Sequence, residues 1–266
     1  MNRKSMYTLI AIVIIVVVAA LVLSSLYSPG SGSYLVEYIN KPAPQSLISM
    51  LNVPSAVSNK VGLGVVLPLS SSSSAIKKIS APPLASNGKP EVLYMGADYC
   101  PYCAITRWSL IIALSRFGTF SNLHYMISNT SDPVSPGTPT FTFYGSSYTS
   151  NYIAFVPVEM ENQTEKPLQN PTASQGNIFS KFNPGGGIPF IDFGNQSLQL
   201  GALANPFTIQ PYNWTQIASA LTETNSSVSL SLVGGADVET AEICAITNFT
   251  PSSVCSQPYV KQILGS

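Results

Sequence analysis

The sequence predicts an α/β domain carried behind an N-terminal transmembrane helix, and three observations predict it. An apolar strand, Val92–Met95, runs through a Cys-x-x-Cys directly into a strongly apolar helix, Ala104–Leu114. Further on, Ile188-Pro189 opens an alternating apolar strand with which Leu198–Leu203 can pair as a hairpin. Ahead of both, Arg3 and Lys4 precede an uncharged apolar run over residues 7–26, about the length of helix that crosses a bilayer core.

That run sets the first boundary. Positive charge on its N-terminal side keeps this end in the cytoplasm and sends the rest outside. The apolar core of a cleaved signal spans only about 7–15 residues, so an uncleaved anchor is the expectation and cleavage the alternative. The expected division is residues 1–27 as cytoplasmic tip and anchor, 28–33 as a Ser/Pro/Gly spacer, and 34–266 as the domain. The protein is therefore expected at the cell membrane, single-pass, with its C-terminal domain outside the cytoplasm.

Composition agrees with export. The chain has 266 residues, ample for a core, yet only 9% are Asp, Glu, Lys or Arg and the net charge is zero. Nothing here suits nucleic acid or a strongly charged substrate. Ser, Thr, Asn, Gln and Tyr supply the polar surface. A surface that avoids ionisable groups also suits an acidic exterior, where carboxylates protonate and stop contributing. Asn129, Asn162, Asn195, Asn213, Asn225 and Asn248 each open a glycosylation triplet, so glycosylation is expected outside the cell.

Along the domain, Gln45–Leu51 reads as a short amphipathic helix and Leu63–Leu67 as a strand. Ser70–Ser74 is a serine loop, and Asn87-Gly88-Lys89-Pro90 is a turn feeding the strand that begins at Glu91. The helix after the cysteines carries Ala104, Ile105, Trp108, Ile111 and Ile112 on one buried face, with Gly118 as its stop. Leu123–Ile127, Phe141–Tyr144 and Tyr152–Met160 are strand-like, separated by a Pro/Gly-rich loop at Ser128–Thr140 and a turn at Gly145–Ser147. Residues 161–176 are polar and irregular, and Asn177–Phe182 reads as a short helix. Trp214–Leu221 and Val238–Ile246 are helical.

The chemistry concentrates at Cys100-Pro101-Tyr102-Cys103. Cys100 falls at the cap of the helix, where unpaired N–H groups and the positive end of the dipole favour a thiolate. Pro101 suits the first helical position, having no N–H to satisfy. Cys103 sits one turn in and more covered, as a resolving thiol should be. A redox-active pair is the reading this arrangement favours, with protein thiols or disulfides as partners and no cofactor. The alternatives are a structural bridge, which would constrain little chain across so small a loop, or half of a metal site. Zinc would need two further ligands. Cys244 and Cys255 have ten residues between them rather than two to four, and His124 is the single histidine. No metal is expected.

Cys244 and Cys255 read as a structural disulfide, contributing about 2.5–3 kcal/mol by restricting the unfolded chain; an electron relay to the first pair is the alternative. His124 reads as an edge residue, Trp108 as core, Arg107 as solvent-facing and Asp192 as a strand end. Gly185-Gly186-Gly187 lacks the Lys-Ser/Thr of a phosphate loop and reads as a flexible lead-in to Pro189.

Strand, Cys-x-x-Cys, helix and a later Ile-Pro hairpin together resemble the thioredoxin fold, and the tetrapeptide resembles that of glutaredoxins. The fuller pattern is similar to an uncharacterised membrane-anchored thioredoxin-like family of archaea and actinobacteria. It is carried by Gly96–Ala104, Arg107-Trp108, Ala113–Phe120, Thr138–Phe141, Ile188–Asp192, Ile243-Cys244 and Val254-Cys255. The resemblance implies that Pro189 is a cis-proline facing the sulfurs, and that Pro101, Tyr102, Ile188 and Pro189 hold the partner chain. It also implies two departures. Tyr94 occupies the place of the usual buried acid, leaving Asp98 and Glu91 as candidates for proton transfer. The separation of Cys103 from Pro189 calls for an insertion of about 40–60 residues, at about residues 128–172.

Overall fold

The apolar run around Leu93 forms the middle of a sheet. The computed structural model describes residues 35–66 and 75–265. The expected anchor at 7–26, the spacer and the serine loop at 70–74 lie outside them. Among the described residues no helix is long and apolar enough to cross a membrane.

Two short helices come first, α1 (Gln45–Met50) and α2 (Ser55–Val61), each begun directly after a proline. Strands β1 (Ile76–Lys78) and β2 (Ala85–Ser86) lead through Asn87-Gly88, both at positive φ, into β3 (Lys89–Gly96). The cysteine motif starts α3 (Pro101–Ser115). Next come β4 (Gly118–Ser121), β5 (His124–Ile127), β6 (Pro139–Thr142), β7 (Ser147–Ser150) and β8 (Ala154–Glu159), then α4 (Ala173–Phe182). A hairpin, β9 (Phe190–Phe193) and β10 (Ser197–Leu200), precedes α5 (Trp214–Ala220), α6 (Ser227–Ile246), α7 (Ser252–Cys255) and α8 (Pro258–Leu264).

The main sheet runs β1-β10-β9-β3-β2, with β8 also on β3. β3 pairs parallel with β8 and antiparallel with β9, so Val92, Leu93, Tyr94 and Met95 are all fully buried. Coverage on both faces is why the strand is continuously apolar rather than alternating. Val92, Tyr94, Ile191 and Phe193 face the helices α3 and α6. Leu93, Met95, Phe190 and Leu198 face α4 on the other side.

Several segments depart from the sequence expectation for reasons of packing. Residues 62–65 form a turn, not a strand. Gly64 has positive φ, and a Cβ there would sit on the Leu230 carbonyl, so α6 bends the chain past itself. α3 ends at Ser115 with Arg116 as its C-cap, while Gly118 starts β4, where a Cβ would strike the Thr149 carbonyl and the Tyr148 ring. α6 begins already at Ser227. Its Gly235 lies against Ser109, letting α3 and α6 approach closely, and such small residues carry no apolar stripe to read. α4 starts at Ala173 because Thr172 and Gln175 form a capping box. The stretch at about 128–172 contains β8, a strand of the main sheet, whereas β4–β7 form two separate two-stranded sheets between α3 and β8.

Candidate functional site

Cys100 caps α3 in an extended conformation, and its sulfur accepts the Cys103 N–H at 3.2 Å. The same sulfur lies 3.9 Å from the Ile188 carbonyl oxygen, and the Ile188–Pro189 peptide is cis. β9 begins directly after this proline, and β10 holds it from behind, since Gly201 N–H donates to the Pro189 carbonyl at 2.8 Å. The Asn183 amide ties down the glycine lead-in by donating to the Gly187 carbonyl at 2.7 Å. Sequence-remote residues thus converge on one sulfur. Cys100 is 5% exposed and Cys103 0%, while Tyr102 between them is 43% exposed.

The two thiols are pushed apart. The hydrogen bond from Cys103 is the largest influence on Cys100 and lowers its pKa; burial opposes, and the Cys103 and Tyr102 backbone and the Arg107 charge assist. Burial pushes Cys103 well above the ordinary thiol range, and its hydrogen bond to Cys100 adds to the rise. Cys100 is the readily ionised sulfur and Cys103 the reluctant one.

Beneath them lies a charge cluster. Arg107 is one helical turn past Cys103 and fully buried, which corrects the expectation that it faces solvent. Its Nε and Nη2 donate to the two Glu159 carboxylate oxygens at 2.8 Å each, and Nη2 also donates to the Ala97 carbonyl at 2.6 Å. Asp98 Oδ1 stands 3.5 Å from Nη2. Burial, reinforced by the Glu159 charge, pushes Asp98 up to about 7 despite Arg107. Tyr94 is buried with no hydrogen-bond partner for its hydroxyl, and its ring lies where a side chain at Gly96 would be. Burial raises its pKa well above the phenol range, so it remains neutral.

Residues 75–183 match the family model of a domain of unknown function, DUF929. The DUF929 stretch holds both site cysteines, Asp98, Arg107 and Glu159; Ile188, Pro189, Cys244 and Cys255 fall beyond it. No curated protein and no solved structure matches the chain.

Other singled-out residues lie elsewhere. Within the DUF929 stretch, Trp108 is core, donating to the Pro139 carbonyl at 2.9 Å and packing on Phe141. His124 begins β5, pairs with Thr142 and the Pro42 bridge, and its ring nitrogen lies 2.9 Å from the Asn122 carbonyl. Glu91 sits at the opposite end of β3 from the cysteines. Asp192 is no mere strand end: it is buried, and its Oδ1 accepts the Asn195 N–H at 2.6 Å to hold the hairpin turn. Cys244 and Cys255 are bonded to each other, tying α6 to α7. Cys244 lies near Ile246, which packs on Gly194 at the far end of β9 from Pro189. Among the described residues, no group of three or more His, Cys, Asp or Glu could hold a metal ion.

Glu159 escaped sequence reasoning, and so did the inward orientation of Arg107. One signal could have found both. In a chain with so few charges, the Glu that directly closes the apolar run Ala154–Val158 and the single Arg within an apolar helix are natural partners.

Proposed function

We propose that the chain is a membrane-anchored, extracytoplasmic thiol–disulfide oxidoreductase acting on protein thiols or disulfides through Cys100 and Cys103. The observation that carries this reading is the seat of the Cys100 sulfur, between the Cys103 amide and the Ile188 carbonyl beside Pro189. The order of strand, cysteine motif, helix, parallel strand, helix, proline and hairpin supports a thioredoxin-like assignment. On that assignment the inserted material is β4–β7. The apolar run at 7–26 supports the anchor, and the positive flank supports the exported orientation.

In the reducing direction, the Cys100 thiolate attacks one sulfur of a partner disulfide, R–S–S–R′. The Cys100–S–R bond forms as the S–S bond breaks, and R′–S⁻ leaves with the electron pair and takes up a proton. Cys103 then sheds its proton and attacks the Cys100 sulfur. The Cys100–Cys103 bond forms and R–S⁻ departs. Two electrons have passed from the cysteine pair to the partner, and partner oxidation is the reverse sequence. Arg107 lessens the cost of negative charge at either sulfur. Asp98, raised to about 7 by burial and 3.5 Å from the Arg107 guanidinium, is the candidate to receive the proton that Cys103 sheds. No cofactor is needed.

Trapping tests the reading. Full-length protein carrying Cys103→Ser should accumulate a mixed disulfide on Cys100, and Cys100→Ser should abolish reduction of insulin. The neutral Tyr94 phenol in place of an acid favours one rival, a tethered binding or chaperone module without turnover. Absence of insulin reduction by the unaltered protein, or no trapped adduct with Cys103→Ser, would select the rival; reduction that survives Cys100→Ser would overturn the role of Cys100.

A further inference from the structure

We propose that the aromatic face around Tyr38, where the spacer enters the domain, rests on the lipid interface of a bilayer. The proposal rests on the anchored reading above. Eight residues, 27–34, lie between the expected anchor and Leu35, and fully extended they would reach at most about 28 Å. Leu35 is buried in the main core, which fixes the place where the chain enters. The surface around that point is therefore kept near the lipid.

That surface carries interfacial chemistry. Val36 is 43% exposed, Tyr38 37%, and Tyr212, two residues before Trp214, 38%. The Tyr38 ring centroid lies 5.6 Å from those of Tyr125 and Trp214, and Leu35, Tyr38, Tyr125 and Trp214 wall a cleft of about 140 Å³. Tyrosine and tryptophan gather at membrane–water interfaces, where the ring sits against lipid and the polar atom stays wet. Lys41 Nζ stands 5.2 Å over the Tyr38 ring, which suits an ammonium at headgroup level above an apolar stem. Glu37 and Lys41 cancel within residues 35–43, so a zwitterionic bilayer suffices. An apolar patch beside a short tether is covered most directly by the surface that the tether enters. Docking there would orient the cysteine helix to the bilayer, since Trp214 Nε1 donates to the Thr140 carbonyl and Thr140 Oγ1 donates to the Ala104 carbonyl on α3.

The test uses full-length protein in phosphatidylcholine vesicles with brominated acyl chains, and unbrominated vesicles as reference. A tryptophan is added at one of two exposed positions. Val36→Trp places it on the face. Phe249→Trp places it beyond the far end of α6, a 20-residue helix about 30 Å long whose first turn shares a hollow with Tyr212. Trp108 and Trp214 supply the same background in both variants. Bromine should remove most of the emission added at 36 and almost none of that added at 249, at low and high salt alike. Equal responses in protein that floats with the vesicles would overturn the docked face and spare the anchor. Emission at 36 that turns blue with rising protein density, yet is not quenched, would seat a second copy there and overturn the lipid contact. Protein that does not float with the vesicles would overturn both.

Discussion

Arg107 grips both carboxylate oxygens of Glu159 at 2.8 Å, and neither side chain reaches solvent. The pair joins the cysteine helix α3 to the end of β8, and through Ala97 it also fixes the loop that leads into Cys100. Bidentate geometry offsets the cost of removing two charges from water. Asp98 adds a further carboxyl to the same guanidinium, and burial keeps it near its own titration point at neutral pH.

Breaking this pair should be expensive. Arg107→Met leaves Glu159 buried and unpaired, and the expected loss in urea denaturation is about 3–5 kcal/mol. Arg107→Met combined with Glu159→Leu should regain most of it. A single variant costing under about 1 kcal/mol would contradict the buried pairing.

Cys100 should owe its acidity mainly to its neighbour. Cys103→Ala removes the largest lowering influence, so the pH midpoint of Cys100 alkylation by iodoacetamide should move upward. Cys103→Ser, which keeps a donor, should move it less. Identical midpoints in all three proteins would discard this account.

Stability should fall as pH rises. Burial lifts Asp192 and Asp237 to about 6, Asp98 to about 7 and Glu239 to about 8, from ordinary values of 3.8 for Asp and 4.5 for Glu. Between those ordinary values and the raised ones the folded state holds protons that the unfolded chain has released. This contribution is complete below about pH 4 and is lost as pH climbs through the folded values to about 8. The thermal midpoint should therefore decline over that range, and Glu239→Gln should flatten its upper part. A midpoint that climbs from pH 4 to pH 8 would refute the assignment.

The disulfide between Cys244 and Cys255 should act on stability alone. Replacing both by Ala should cost about 3 kcal/mol in urea denaturation, as expected for closing so short a loop. Reduction of insulin by the double variant should persist below its unfolding midpoint. Loss of turnover in the folded variant would revive the relay between the two pairs.

What the sequence by itself determined is local: the cap, the proline and the turn spacing that put Cys100 and Cys103 at the head of one helix, and the continuous apolar strand before them. Periodicity and capping act over a few residues, so they can be read without the fold. Tertiary structure alone decided that Arg107 turns inward, because its partner Glu159 arrives on a strand that pairs with β3 from far along the chain. It likewise decided the extent of α6, whose Gly235 presses against Ser109, and the aromatic face that joins Tyr38 to Tyr125 and Trp214. Such contacts bring together residues whose separation in the chain carries no periodic signal, and close backbone approach is satisfied by the smallest side chains, which leave no pattern to read.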